Sequence, residues 1–233
     1  MYHSITFGTK NTWDDWHLIP SSRPVFNPPA FKEKLIDIPG INGQLDISTI
    51  LTGGEPTFNN RQGSFEFIVE NDFLSWDTAY SNIMNHLHGR SMEAVLEDDP
   101  DWIYDGRFTV NEWRSNKNFS TIVIDYNVSP YKKDLTGSNV DWEWDPFDFD
   151  TGLIQDYQNM VVNNTTVIVE GRQKQLYLAI TSSVIMSVTI NGVAVTLSAG
   201  INVLPTVVLG LGTNTFVFTG SGTVSINYRG GSL

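Results

Sequence analysis

Thr189–Val195 read TINGVAV. Asn191 and Gly192 both tolerate the positive φ that a two-residue type I′ turn demands, so this stretch predicts a tight β-hairpin. Its first arm extends back through SVIMSVTI (Ser183–Ile190), rich in the β-branched residues that suit a pleated surface. Working outward, TTVIVE (Thr165–Glu170), QLYLAIT (Gln175–Thr181), NTFVFT (Asn214–Thr219) and TVSINY (Thr223–Tyr228) have the same character. Glycine punctuates them in LGLGTN and TGSGT. Short strands at close, regular spacing with Gly turns predict an antiparallel β-sandwich over residues 160–233.

Upstream of it the composition changes. NVDWEWDPFDFDTG (Asn139–Gly152) interleaves Asp141, Glu143, Asp145, Asp148 and Asp150 with Trp142, Trp144, Phe147 and Phe149. Four readings compete: a glycosidase site, a calcium loop, a sugar-stacking platform, or a connector between two domains. A calcium loop of the EF-hand kind needs a central Gly and a terminal Glu, which this stretch lacks. On an extended strand Asp141, Glu143 and Asp145 would project together, with Trp142 and Trp144 on the opposite face. A glycosidase needs two carboxylates facing each other across a cleft, roughly 5–10 Å apart. Segregated acids and rings fit a connector better: Trp142, Trp144, Phe147 and Phe149 pack against one or both domains, and the acids face water. From Met160 onward acids almost vanish. The expected organisation is an N-terminal β-rich domain over 1–135, a connector over 136–159 and the sandwich over 160–233.

In the N-terminal part SFEFIV (Ser64–Val69), RFTVNEW (Arg107–Trp113) and STIVIDYNV (Ser120–Val128) alternate apolar and polar residues as half-buried strands do. The short polar link RSNKN makes the last two an antiparallel hairpin. One helix is expected over about 76–88, with Trp76, Tyr80, Ile83 and Leu87 on one face, Ser75 as N-cap and Gly89 as the left-handed residue after its end. The fold class is therefore mainly β: an α+β N-terminal domain with one helix on a sheet, then an antiparallel sandwich. Between Pro20 and Pro39 stand five prolines, which forbid a central strand and favour edge strands or an extended arm. An arm unable to pair within its own sheet can pair with a neighbouring subunit, so Pro20, Pro24, Phe26, Pro28, Pro29 and Phe31 are candidate subunit-interface residues; an ordinary surface loop is the alternative.

With 26 Asp and Glu against 14 Lys and Arg, the net charge is −12, which argues against nucleic acid as a bound partner. The absence of cysteine excludes disulfides, thiolate metal sites and cysteine nucleophiles. His86 and His88 are two apart on the expected helix, too divergent to share a metal. No Gly-x-Ser-x-Gly elbow, dinucleotide or phosphate-binding loop is present, so no cofactor and no catalytic residue is expected. MYHSITFGTK has no basic-then-apolar leader pattern, and no apolar run reaches the ~20 residues of a membrane span. Synthesis in the cytoplasm without a signal peptide or membrane insertion is the expectation.

Several pieces in order resemble the distal tail proteins of long-tailed bacteriophages and prophages of Gram-positive hosts. They are ITFG (Ile5–Gly8), IPGINGQLDIST (Ile38–Thr49), NRQGSFEFIV (Asn60–Val69), the helix, HGRSMEAVLEDDPDWIYDGRFTVNEW (His88–Trp113), DYNVSPYKKDL (Asp125–Leu135), WEWDPFDFDTG (Trp142–Gly152) and the closing GTNTFVFTGSGTVSINYRGGSL (Gly212–Leu233). The resemblance implies a non-enzymatic structural hub of the tail tip or baseplate, assembling as a hexameric ring, with a galectin-like C-terminal sandwich outside it. The implied partners are the tail tube protein, the tape-measure protein, the tail-associated tip protein and, docked on the sandwich, receptor-binding proteins. The implied location is the distal end of the virion tail, where an acidic conduit would let DNA pass without binding it. The competing reading is a carbohydrate-binding β-sandwich for host cell-wall glycans, stacking sugars on Trp142 and Trp144 or on exposed rings of the sandwich. A carboxylate-dependent hydrolase is the third.

Overall fold

The computed structural model describes residues 2–40, 42–52, 54–69, 76–115, 120–135, 157–172 and 174–233. The chain divides into two compact units, Met1–Lys132 and Lys133–Ser232. The expected connector over 136–159, with Trp142, Trp144, Phe147 and Phe149, lies outside the described residues except at its last three positions.

In the first unit, β1 (Ile5–Phe7), β2 (Lys10–Asn11), β3 (Leu18–Pro20), β6 (Arg61–Val69), β7 (Arg90–Leu96), β8 (Asp99–Ser115) and β9 (Ser120–Val128) form one antiparallel succession, β2-β1-β7-β8-β9-β6-β3. The predicted β8–β9 hairpin is present, with Phe108 opposite Tyr126 and Val110 opposite Ile124. Period-two alternation sends Phe65, Phe67 and Val69 of β6 inward with Ile122, Ile124 and Val128 of β9. The helix α1 (Trp76–Leu87) adds Ile83 and Leu87, both fully buried, to the same core, and Tyr80 meets Trp113 edge-on at 4.6 Å. Gly89, at φ +72°, ends it as expected: its N–H turns away to donate to Phe108 O, and β7 begins. β4 (Leu35–Asp37) and β5 (Gln44–Asp46) stand apart as a two-stranded hairpin.

β10 (Lys132–Asp134) carries the chain from the first unit to the second. There β12 (Thr166–Gly171), β14 (Met186–Ile190), β15 (Val193–Leu197) and β17 (Gly212–Thr219) form a sheet of order β12-β17-β14-β15. β11 (Met160–Asn163), β13 (Lys174–Ser182), β16 (Gly200–Val203) and β18 (Ser221–Ser232) make the other, β16-β13-β18-β11. Every pairing is antiparallel. Val169, Val188, Ile190, Phe216 and Phe218 of one sheet share a core with Leu178, Ile180, Val224, Ile226 and Tyr228 of the other. Two antiparallel sheets closed on one apolar layer make this unit a β-sandwich. The Asn191-Gly192 turn joins β14 to β15 with both residues at positive φ, 46° and 89°, and Ile190 directly opposite Val193.

Candidate functional site

The proline-rich segment has two parts with different chemistry. Its root is built into the first unit. β3 pairs with β6, Pro20 opposite Phe67, at the end of the strand succession, where a missing N–H costs nothing. Beyond it Pro24 and Phe26 are buried. The Phe26 ring stacks on Tyr104 at 4.0 Å and meets Phe65 and Tyr126 edge-on at 5.1 and 4.8 Å. Asn27 locks the strap: its N–H donates to the Tyr126 hydroxyl (2.9 Å) and its Nδ2 to the Gln62 carbonyl (2.9 Å). Gly63 leaves room for this, since a Cβ there would come within 2.4 Å of Tyr126 Oη and 2.6 Å of Asn27 Nδ2. Arg61, almost wholly buried, donates from Nε to the Pro130 carbonyl (2.9 Å) and lies over the Tyr104 ring; burial lowers its pKa.

A second tie holds the root at the β7–β8 turn. Asp98 accepts hydrogen bonds from His3 Nδ1 and Arg23 Nε, each at 2.8 Å. Partial removal from water would raise the Asp98 pKa, but those bonds outweigh it and hold the carboxyl below its ordinary value. Beside it the Ser4 backbone N–H, and secondarily its hydroxyl, depress the Glu97 carboxyl.

Past the root the segment narrows to a neck and then projects. Phe31 and Phe58 face each other in an antiparallel bridge, Lys32 N–H donates to Thr57 O, and Asn59 N–H donates to Ala30 O. Between these ends lie the β4–β5 hairpin and a single 3-10 turn at Ile50–Thr52. Every described residue from Phe31 to Asp46 is exposed. Leu35, Ile36, Ile38, Leu45 and Ile50 stand in solvent, and Leu51 is 97% exposed. A single apolar residue at a surface is ordinary; this segment carries six, on elements that have no core of their own.

Of the six residues expected to form a subunit-interface arm, Pro24 and Phe26 are thus covered by their own unit, Pro20 and Pro29 are half-buried, and Pro28 and Phe31 are exposed. The arm's outward apolar chemistry sits further along, at Leu35–Leu51, in residues not singled out from sequence. Their signal was present as two short apolar-acid runs, LID and QLD, flanking a Pro-Gly and Asn-Gly turn.

A cavity of about 440 Å³ in the first unit is lined by Lys10, Asp15, Trp16, Asn82, Asn85 and His86. Lys10 and Asp15 already neutralise each other at 2.6 Å, and Lys10 with the Asn11 N–H lowers the Asp15 pKa. His86 Nε2 donates to the Phe7 carbonyl at 2.8 Å. The cavity therefore holds a satisfied ion pair and a histidine committed to backbone, not a base aimed at a nucleophile. Among the described residues no three His, Asp or Glu side chains are grouped to hold a metal, and no helix is long and apolar enough to cross a membrane. In the second unit Tyr177 of β13 is the only exposed ring among the described residues, and it pairs in register with Arg229.

A helix-bearing antiparallel unit followed by a β-sandwich is also the fold of a solved phage protein. That protein is SPP1 Dit (gp 19.1), described as a paradigm of the hub adsorption apparatus in phages infecting Gram-positive bacteria. The match has a TM-score of 0.65 and 12% identity, and covers 98% of this chain and 99% of the other. No protein-family model and no curated protein matches the sequence.

Proposed function

We propose that this chain is a structural hub of a phage tail tip, assembling as a hexameric ring that links the tail tube to tail-tip and host-adhesion components. The observation that carries this reading is the fold likeness to SPP1 Dit, which runs the full length of both chains rather than through one domain. The exposed apolar hairpin supports it, because a closed ring needs each subunit to offer a surface its neighbour can cover. In this reading the first unit forms the ring and the galectin-like second unit stands outside it as a docking module for receptor-binding proteins. Tube, tape-measure and tail-associated tip proteins are its axial partners, DNA passes through without specific binding, the chain performs no catalysis, and it resides at the distal end of the virion tail. Negative-stain microscopy of the purified protein, alone and mixed with its tube and tip proteins, should reveal sixfold rings. A strictly monomeric chain with no affinity for either partner would overturn the proposal.

The carbohydrate-binding reading keeps one observation in its favour, the outward Tyr177 ring beside Arg229. It gains the upper hand only if host cell-wall glycans bind and Tyr177→Ala abolishes that binding with the fold intact.

A further inference from the structure

The chain contains two Asn-Gly pairs, Asn42-Gly43 and Asn191-Gly192, and the structure treats them differently. An Asn followed by Gly is the dipeptide most open to spontaneous deamidation, because glycine has no side chain to hinder attack by its own backbone nitrogen. In the β14–β15 turn both polar atoms of the Asn191 carboxamide are engaged. Nδ2 donates to Asn214 Oδ1 at 2.8 Å, and Oδ1 accepts the Thr215 N–H at 3.0 Å. Asn214 is itself 1% exposed and bonded to the 210–212 backbone, so this anchor is rigid. Asn42 lies in the β4–β5 loop, exposed, and its carboxamide makes no hydrogen bond among the described residues. Gly43 is at φ +82° with nothing near the position a Cβ would take, so water and base reach the peptide freely.

We infer that Asn42 is a site of self-modification, converting to aspartate and isoaspartate, while Asn191 is protected by its hydrogen bonds. The Gly43 backbone nitrogen, on losing its proton, attacks Asn42 Cγ. The new C–N bond closes a five-membered succinimide, and the Cγ–Nδ2 bond breaks to release ammonia. Water then opens the ring at either carbonyl. The net reaction consumes one water, yields one ammonia and needs no oxidant or reductant. For Asn191 the same step must first break two hydrogen bonds, which slows it by about tenfold or more. The product places a carboxylate, and in the isoaspartate form a rerouted backbone, at the tip of the exposed apolar hairpin. This inference stands whether or not the hairpin serves in ring assembly.

The test is peptide mapping by mass spectrometry of the intact purified protein, held at 37 °C in mildly alkaline buffer and sampled over weeks. The peptide containing Asn42 should gain one mass unit and split into aspartate and isoaspartate forms, faster as pH rises, while the Asn191 peptide stays intact at least about tenfold longer. In Asn214→Ala, which removes the anchor, Asn191 should accelerate towards the Asn42 rate, provided circular dichroism reports a folded chain. Equal rates at the two sites in the native protein, or an Asn42 that never converts, would overturn the inference.

Discussion

Asn214 spends its whole carboxamide inside the second unit. Oδ1 accepts from Asn191 Nδ2 and the Gly210 N–H, and Nδ2 donates to the carbonyls of Gly210 and Gly212 at 2.9 and 2.8 Å. A buried group that satisfies a loop this way is costly to remove, because its partners remain buried and unpaired. Asn214→Ala should therefore destabilise the protein by about 1–3 kcal/mol in denaturant unfolding, where an exposed Thr215→Ala control changes little. The acids at the β7–β8 turn make a second prediction at this scale. Glu97 and Asp98 have folded pKa values below their unfolded ones, Glu97 through the Ser4 N–H and Asp98 through His3 and Arg23 against partial desolvation. A depressed carboxylate stabilises the fold above its unfolded pKa, and that stability is lost as pH falls through the folded value. Thermal unfolding should be level from about pH 7 to 5 and fall below about pH 4. Asp98→Asn should lower the plateau and flatten the acid limb; an unchanged limb would show that this tie contributes nothing.

At the scale of elements, the same proline-rich segment contains a buried strap and an exposed hairpin. Phe26 and Asn27 anchor the strap against β6 and β9, whereas the hairpin holds itself by its own ladder, Leu35 opposite Asp46 and Asp37 opposite Gln44, with Gln44 Nε2 donating to Asp37 Oδ1. An isolated two-stranded hairpin is marginal in water, so its exposed leucines and isoleucines gain most when another chain covers them. The combined variant Leu35→Ser, Ile36→Ser, Leu45→Ser should leave the melting temperature of the free chain within about 2 °C, since these side chains leave the core untouched. It should abolish self-association measured by light scattering. Retained assembly would move the contact surface elsewhere.

For the whole molecule the relevant quantity is charge. Each chain carries −12, so copies repel one another at low ionic strength, while the exposed hairpin offers apolar contacts that salt does not screen. Raising salt from about 10 mM to 150 mM shortens the Debye length from roughly 30 to 8 Å and should strengthen self-association in analytical ultracentrifugation. Weakening would instead point to an interface built from ion pairs. The charge is also unevenly shared: from Met160 onward Glu170 is the only acid against Arg172, Lys174 and Arg229, so the negative charge lies entirely in the residues before Met160.

By itself the sequence determined the strand-rich class, the helix with its Gly89 terminus, the β8–β9 hairpin and the Asn191-Gly192 turn. These features rest on local rules, namely period-two and period-3.6 alternation and the φ preferences of Gly and Asn, which a few neighbouring residues settle between them. It did not determine which part of the proline-rich segment is buried. Phe26 and Phe31 read alike as aromatic residues among prolines, yet one is 4% exposed and the other 40%. Only the tertiary structure decided that, because Phe26 is buried by Phe65, Tyr104 and Tyr126, rings 39 to 100 positions away in sequence. The same holds for Asn191 and Asn42: identical dipeptides, separated chemically by an Asn214 side chain that no local pattern brings to one of them and withholds from the other.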